Sequence, residues 1–244
     1  RLRTVTGVQT CALPIYGGGA SATTASAGVH TSNQWSVNVS YNTINNNDGS
    51  GVNHVSTLRG INVTTATSAN STVNNNRLTI KGGGTTSQVS GIEISAGSTA
   101  AGNTVNMNYN SCSIEYLTAT SGIVYGMYIS STAANINIIG DTVSSINYSG
   151  SALTGTGAVN GIYSSGSSVV TAYAYGNVVG NITRTGTTGG TSIGIYLTGA
   201  THTARKNTIS SISIGGSGTS GTIYGLQTNT GIAVVDSNTV YGLS

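Results

Sequence analysis

Apolar residues return along this chain in two short phrases rather than in long runs. The first phrase is a glycine followed by an aliphatic residue, a variable residue and often a further apolar one. It occurs as Gly28-Val29-His30, Gly60-Ile61-Asn62, Gly91-Ile92-Glu93, Gly126-Met127-Tyr128, Gly161-Ile162-Tyr163, Gly194-Ile195-Tyr196 and Gly225-Leu226-Gln227. Alternation after the glycine predicts a half-buried strand, with the aliphatic residue facing inward and the variable one outward. Two residues before the glycine stands another apolar column: Leu58, Val89, Val124, Val159 and Ile223, with Ser192 as its exception. Its parity differs from that of the column after the glycine, so a bulge or corner is predicted at the glycine itself.

The second phrase is an asparagine followed two residues later by an apolar side chain, at Asn42, Asn76, Asn110, Asn177, Asn207 and Asn238, with Asp141 in the fourth copy. A further apolar residue often follows three positions on, as at Ile146, Ile182, Ile212 and Leu243. The pair of phrases returns about once every 31 to 36 residues, and Gly/Ser/Thr loops of varying length, such as 186–190 and 215–221, take up the differences. One strand-rich coil per repeat cannot bury its apolar columns alone, so neighbouring coils must stack. The prediction is an all-β parallel solenoid of about seven coils. A propeller would need blades of about 40–50 residues with their own signatures, and calcium-binding nonapeptide repeats would need regular aspartates. Helical repeats are excluded because glycine and β-branched residues dominate and no sustained 3.6-residue period exists.

Composition alters this picture mainly at the N-terminus. Residues 1–15 hold the only proline, Pro14, one of the two cysteines, Cys11, and two of the eight basic residues. Residues 5–15 back-translate onto a common sequencing-library adapter, so 1–15 is read as a non-native, disordered leader and 16–244 as a single domain truncated at both ends. Cys112 is then the lone cysteine, which excludes an intrachain disulfide and a cysteine metal motif. Six basic residues face five acids in what remains, so no nucleic-acid footprint is expected. No run approaches the roughly 18 apolar residues of a membrane helix, and no span is expected.

With these columns in place, the chain resembles the right-handed parallel β-helices of the pectin-lyase-like type over residues 28–244. The resemblance implies that Asn42, Asn76, Asn110, Asn177, Asn207 and Asn238 stack as a hydrogen-bonded ladder. Asp141 departs from it, because an ionised carboxylate cannot donate as an amide does.

Candidate chemistry is sparse. The outward position of the glycine phrase runs His30, Asn62, Glu93, Tyr128, Tyr163, Tyr196, Gln227. Tyr128, Tyr163 and Tyr196, one coil apart, are predicted to form a flat aromatic stripe able to stack on sugar rings, although like side chains stack in any solenoid for packing alone. Arg205 and Asp236 stand two residues before the asparagine column in successive coils and are expected to form a surface ion pair. A lyase-like use of Arg205 or Lys206 as a base would need more acid than the chain holds. Glu93, Glu115 and Asp141 fall in different columns, which does not suit paired-carboxylate hydrolysis. His30, His54 and His202 share no column, so no metal site is expected, and Cys112 reads as a small core residue. No cofactor is expected. The reading that follows is a non-catalytic structural or adhesin-like segment of a large secreted or cell-surface bacterial protein, located outside the cell and continuing into further coils. The alternatives are a carbohydrate-binding surface recognising a polysaccharide or cell-surface glycan, and part of a polysaccharide lyase or glycoside hydrolase whose catalytic coils lie elsewhere.

Overall fold

A computed structural model describes residues 24–46, 54–64, 68–98, 100–150, 157–166, 170–186, 189–216 and 221–244. Residues 1–15, read from the sequence as a foreign leader, lie outside the described residues. Twenty-one strands run in a repeating order through three parallel sheets, with no helix among the described residues. Sheet A takes β1 (Ser26–Ser32), sheet B β2 (Ser36–Ser40) and sheet C β3 (Thr43–Asn45). The same triplet recurs as β4 (Leu58–Thr64), β5 (Asn70–Asn74) and β6 (Arg77–Gly82), then as β7 (Val89–Ile94), β8 (Thr104–Asn108) and β9 (Ser111–Tyr116). Next come β10 (Val124–Ile129), β11 (Asn135–Ile139) and β12 (Thr142–Ser149), followed by β13 (Ala158–Ser165), β14 (Thr171–Tyr175) and β15 (Val178–Thr185). The last two triplets are β16 (Thr191–Thr198), β17 (Thr201–Arg205) and β18 (Thr208–Gly215), and β19 (Thr222–Asn229), β20 (Ile232–Asp236) and β21 (Thr239–Leu243). Each sheet has seven strands, each paired with its counterpart in the neighbouring coil, so the chain winds as a parallel β-solenoid of about six turns.

The glycine phrase lies within each sheet A strand, in register from coil to coil: Val29, Ile61, Ile92, Met127, Ile162, Ile195 and Leu226 are successive partners. In β4 the burial pattern places Leu58, Gly60 and Ile61 inward, so the inward parity does change at the glycine. Gly161 shows why no other residue suits this corner. A Cβ there would lie 2.5 Å from the Gly194 carbonyl oxygen and 2.5 Å from Val179 Cγ1. Backbone of the next coil and a core side chain from sheet C occupy the space a side chain would need.

The core is a column of stacked aliphatic side chains, each worth about 1.5–3 kcal/mol on full burial. Ile61, Ile92, Met127, Ile162 and Ile195 from sheet A meet Val73, Met107 and Ile138 from sheet B and Leu78, Cys112, Val143, Val179 and Ile209 from sheet C. At the last coil the interior opens, and the inward residues Val235, Val240 and Leu243 are exposed.

Sheet B was not legible as a separate element, and its turn into sheet C carries an unexpected regularity. The residue before each ladder position adopts a left-handed conformation: Tyr41, Asn75, Tyr109, Gly140, Gly176, Lys206 and Ser237 have φ between 54° and 66°. Five of these seven are not glycine, and each such residue carries a local cost of about 1–2 kcal/mol. Hydrogen bonds made by the next residue offset it.

Sheet C also changes along the solenoid. Between β9 and β12 the register shifts at Val143/Ser145, a bulge that inserts one residue. The later strands keep it, with Asn181, Ser211 and Gly242 at positive φ. This is the physical reason that the second apolar residue follows by three positions in these coils, as at Ile146 and Ile182, but by two at Leu78/Ile80 and Cys112/Ile114.

Candidate functional site

The turn from sheet B into sheet C carries a continuous set of side-chain hydrogen bonds. Each ladder residue offers its side-chain oxygen to the coil before it. Asn76 Oδ1 accepts from the Asn42 backbone N–H and from Asn42 Nδ2, both at 3.0 Å, and Asn110 Oδ1 accepts from Asn76 in the same two ways. Asn207 and Asn238 repeat the pattern for Asn177 and Asn207. The second amide hydrogen donates to a sheet B carbonyl of the preceding coil, from Asn76 to Val39, Asn110 to Val73, Asn177 to Ile138, Asn207 to Ala174 and Asn238 to Ala204. These bonds satisfy backbone groups that the tight turn removes from the sheets. Asp141 occupies the fourth rung: its Oδ1 accepts from Asn110 N–H at 2.7 Å and Asn110 Nδ2 at 2.8 Å, and its own N–H donates to Asn177 Oδ1 at 2.9 Å.

The outward face of sheet A gathers four tyrosines rather than three. Tyr128, Tyr163 and Tyr196 are register partners, and Tyr125, one residue before Gly126, stacks on Tyr128 with centroids 4.3 Å apart and planes 11° apart. Tyr163 stacks on Tyr196 at 4.4 Å and 13°. The flat stripe expected from the sequence is broken in the middle, since Tyr128 meets Tyr163 at 68° and Tyr125 meets it at 66°. Two stacked pairs crossing edge to face cover one another's ring faces, the arrangement that the aromatic quadrupole favours. Burial, helped by the neighbouring Tyr128, Tyr163 and Glu93, pushes the Tyr125 phenol up to about 12. Burial raises Tyr163 as well. These hydroxyls therefore stay neutral donors at physiological pH. Tyr125 could have been found by noting that the position before the glycine also faces outward.

Beside this cluster, Arg59 grips Glu93 with two bonds, Nε–Oε2 at 2.6 Å and Nη2–Oε1 at 3.2 Å, and Gln88 Nε2 donates to Oε2 at 2.7 Å. On sheet C, Lys81 Nζ lies 3.1 Å from Glu115 Oε1, in register across coils. Both pairs were missed in the sequence, although Lys81 and Glu115 occupy one outward column. On sheet B, Arg205 Nη2 lies 2.6 Å from Asp236 Oδ2, with both side chains largely exposed. The Ser237 hydroxyl first, and then Arg205, hold the Asp236 carboxyl below its ordinary range. Lys206 reaches over the Tyr175 ring at 5.3 Å, and Tyr175 raises the lysine above its ordinary value.

A cleft of about 440 Å³ lies where sheet C acquires its bulge, lined by Ser113, Glu115, Ser145, Asn147, Asn181 and Thr183 among others. Glu115, Asn147 and Thr183 follow one another in register, so the cleft floor is a polar column crossing three coils.

Comparison with known protein families, characterised proteins and solved structures gives no match.

The remaining residues singled out in the sequence are scattered. His30 Nδ1 is 3.0 Å from Asn62 Nδ2 on sheet A. His54 bridges to Gly82. His202 sits buried in an inward column of sheet B, where desolvation lowers its pKa and keeps the ring neutral. Burial pushes the Cys112 thiol up to about 12, which removes its thiolate chemistry at neutral pH. The sequence did not suggest the buried column at the edge of sheet C. There, Tyr116 and Tyr148 meet edge to face at 5.7 Å and Arg184 stands 5.9 Å over the Tyr148 ring. The Tyr148 hydroxyl donates to the Gly122 carbonyl at 2.6 Å, Tyr116 donates to Ser87, and Arg184 Nη2 donates to Gly189. These three large side chains close the corner between sheet C and the segments that lead into sheet A.

Proposed function

We propose that this chain is a non-catalytic segment of a large secreted or cell-surface protein, serving as a rigid stalk or adhesin-like scaffold. It is read as a right-handed, pectin-lyase-like coil, in line with the right-handed sense of nearly all parallel crossovers within one sheet. The observation that carries the reading is the use made of its carboxyl groups. Of the four acids among the described residues, Glu93, Glu115 and Asp236 each bind a cation from a neighbouring coil, and Asp141 forms a rung of the ladder. Acid groups committed to holding coils together serve cohesion along the axis, which is what a stalk needs. No helix among the described residues is long and apolar enough to cross a membrane.

A second reading, a carbohydrate-binding surface, is favoured by the half-exposed tyrosines of sheet A. Tyr125, Tyr128, Tyr163 and Tyr196 are partly exposed side by side on one face. A glycan array separates the readings. The scaffold expects no binding above background for the wild type. Binding lost on combining Tyr128→Ala, Tyr163→Ala and Tyr196→Ala would replace the scaffold by the glycan-binding surface, because losing three rings removes stacking of about 0.5–1.5 kcal/mol each.

A further inference from the structure

Asp141 is out of place in its own ladder. It is fully buried, and its Oδ2 is a buried oxygen with no hydrogen-bond partner. The other rungs define what that position faces. Where an asparagine carries Nδ2, one hydrogen goes to the side-chain oxygen of the next rung and the other to a sheet B carbonyl one coil back. For Asp141 the next rung's oxygen is Asn177 Oδ1. The carbonyl, read from the register Val73, Met107, Ile138, is that of Met107. Both are acceptors, so an ionised carboxylate would set a buried negative oxygen against two lone-pair donors with no hydrogen between them. A carboxylic acid would supply the missing hydrogen.

We propose that Asp141 is a proton-carrying rung: its carboxyl is neutral, and the hydroxyl hydrogen on Oδ2 donates to Asn177 Oδ1 or to the Met107 carbonyl in place of an amide hydrogen. The solenoid therefore contains a built-in pH-sensitive joint at its fourth coil, cohesive when protonated and loosened when the proton leaves. The surroundings agree with a neutral group. From the coil before, the turn brings Tyr109, Asn110 and the neutral thiol of Cys112; from the coil after, it brings Tyr175 and Asn177. The inward residues of the sheet A strand in the same coil, Val124, Met127 and Ile129, are apolar. Desolvation raises the acid well above its ordinary value, opposed only by the two bonds from Asn110, and no charged side chain contributes.

The sign of the effect follows from linkage. The folded pKa is raised above the unfolded value of about 3.9, so the contribution to stability is fully present below that value and is lost as pH rises through the folded pKa. Asp141→Asn, which restores the residue found at the other rungs, removes the titration while keeping the ladder. Urea unfolding of wild type and Asp141→Asn from about pH 4 to about pH 9 should show the unfolding constant of the wild type rising relative to the variant by up to about tenfold per pH unit, then levelling off above the folded pKa. Parallel pH profiles for the two proteins would overturn the proposal. Infrared difference spectra of the folded proteins near neutral pH give an independent reading. A protonated-carboxyl C=O band present in the wild type and missing from Asp141→Asn supports the neutral acid, and carboxylate bands alone in the wild type refute it.

Discussion

Gly161→Ala is expected to destabilise the protein by about 3 kcal/mol or more, at the upper end of overpacking effects. The added methyl would approach the Gly194 carbonyl oxygen and Val179 Cγ1 to 2.5 Å each. One obstacle is backbone of the adjoining coil and the other is a core side chain fixed by its own stack, so neither moves without disturbing the next coil. Gly176→Ala is the internal control. Gly176 has a positive φ of 65°, but nothing lies within 4 Å of its would-be Cβ. Its cost is the left-handed backbone alone, about 1–2 kcal/mol. Urea titrations of both variants check the order, and equal losses would show that close approach between coils does not constrain the glycine corner.

Asn177→Ala is expected to cost about 3 kcal/mol, because it strips partners from several buried groups at once. The Asp141 N–H loses its acceptor at 2.9 Å, the Ile138 carbonyl loses its donor at 3.0 Å, and Asn207 Oδ1 loses one of its two donors. Asn238→Ala at the outer end of the ladder removes a similar set of bonds, to Asn207 and Ala204. There the side chain is only partly buried, so water replaces what is lost and a drop of about 1 kcal/mol is expected. Chemical denaturation of the two variants tests this gradient, and a larger loss at Asn238 than at Asn177 would contradict it. In both variants the left-handed residue before the rung, Gly176 or Ser237, remains. At Ser237 its strain is then no longer offset, which makes that turn the place where fraying starts.

The legible features were those that every coil must repeat. The inward aliphatic after each glycine, the glycine and the ladder amide recur because parallel stacking places equal positions against one another, and a misfit in one coil is felt by two. Sheet B escaped notice because its inward pairs vary: Val37 and Val39, Ser71 and Val73, Ala172 and Ala174, His202 and Ala204 show no constant residue type. Its five-residue strands are specified by the sheets on either side more than by their own composition. The ion pairs Arg59–Glu93 and Lys81–Glu115 escaped for a related reason. Each joins residues 34 apart in sequence, and an outward column has no fixed residue identity to mark it.

What the sequence determined by itself was therefore the periodic frame: an all-β parallel solenoid, its inward columns, its glycine corners and the line of ladder residues. Periodicity is a property of the chain alone, and burial of one face follows from it. The tertiary structure decided whatever depends on the relative placement of side chains in neighbouring coils. It crossed the tyrosines into two stacked pairs, because aromatic rings at coil spacing choose between stacking and edge contact according to their neighbours. It inserted a bulge into sheet C from the fourth coil onward and opened a polar cleft beside it. It also set Asp141 with one oxygen against acceptors, since the hydrogen bonding of a rung is settled by the residues above and below it.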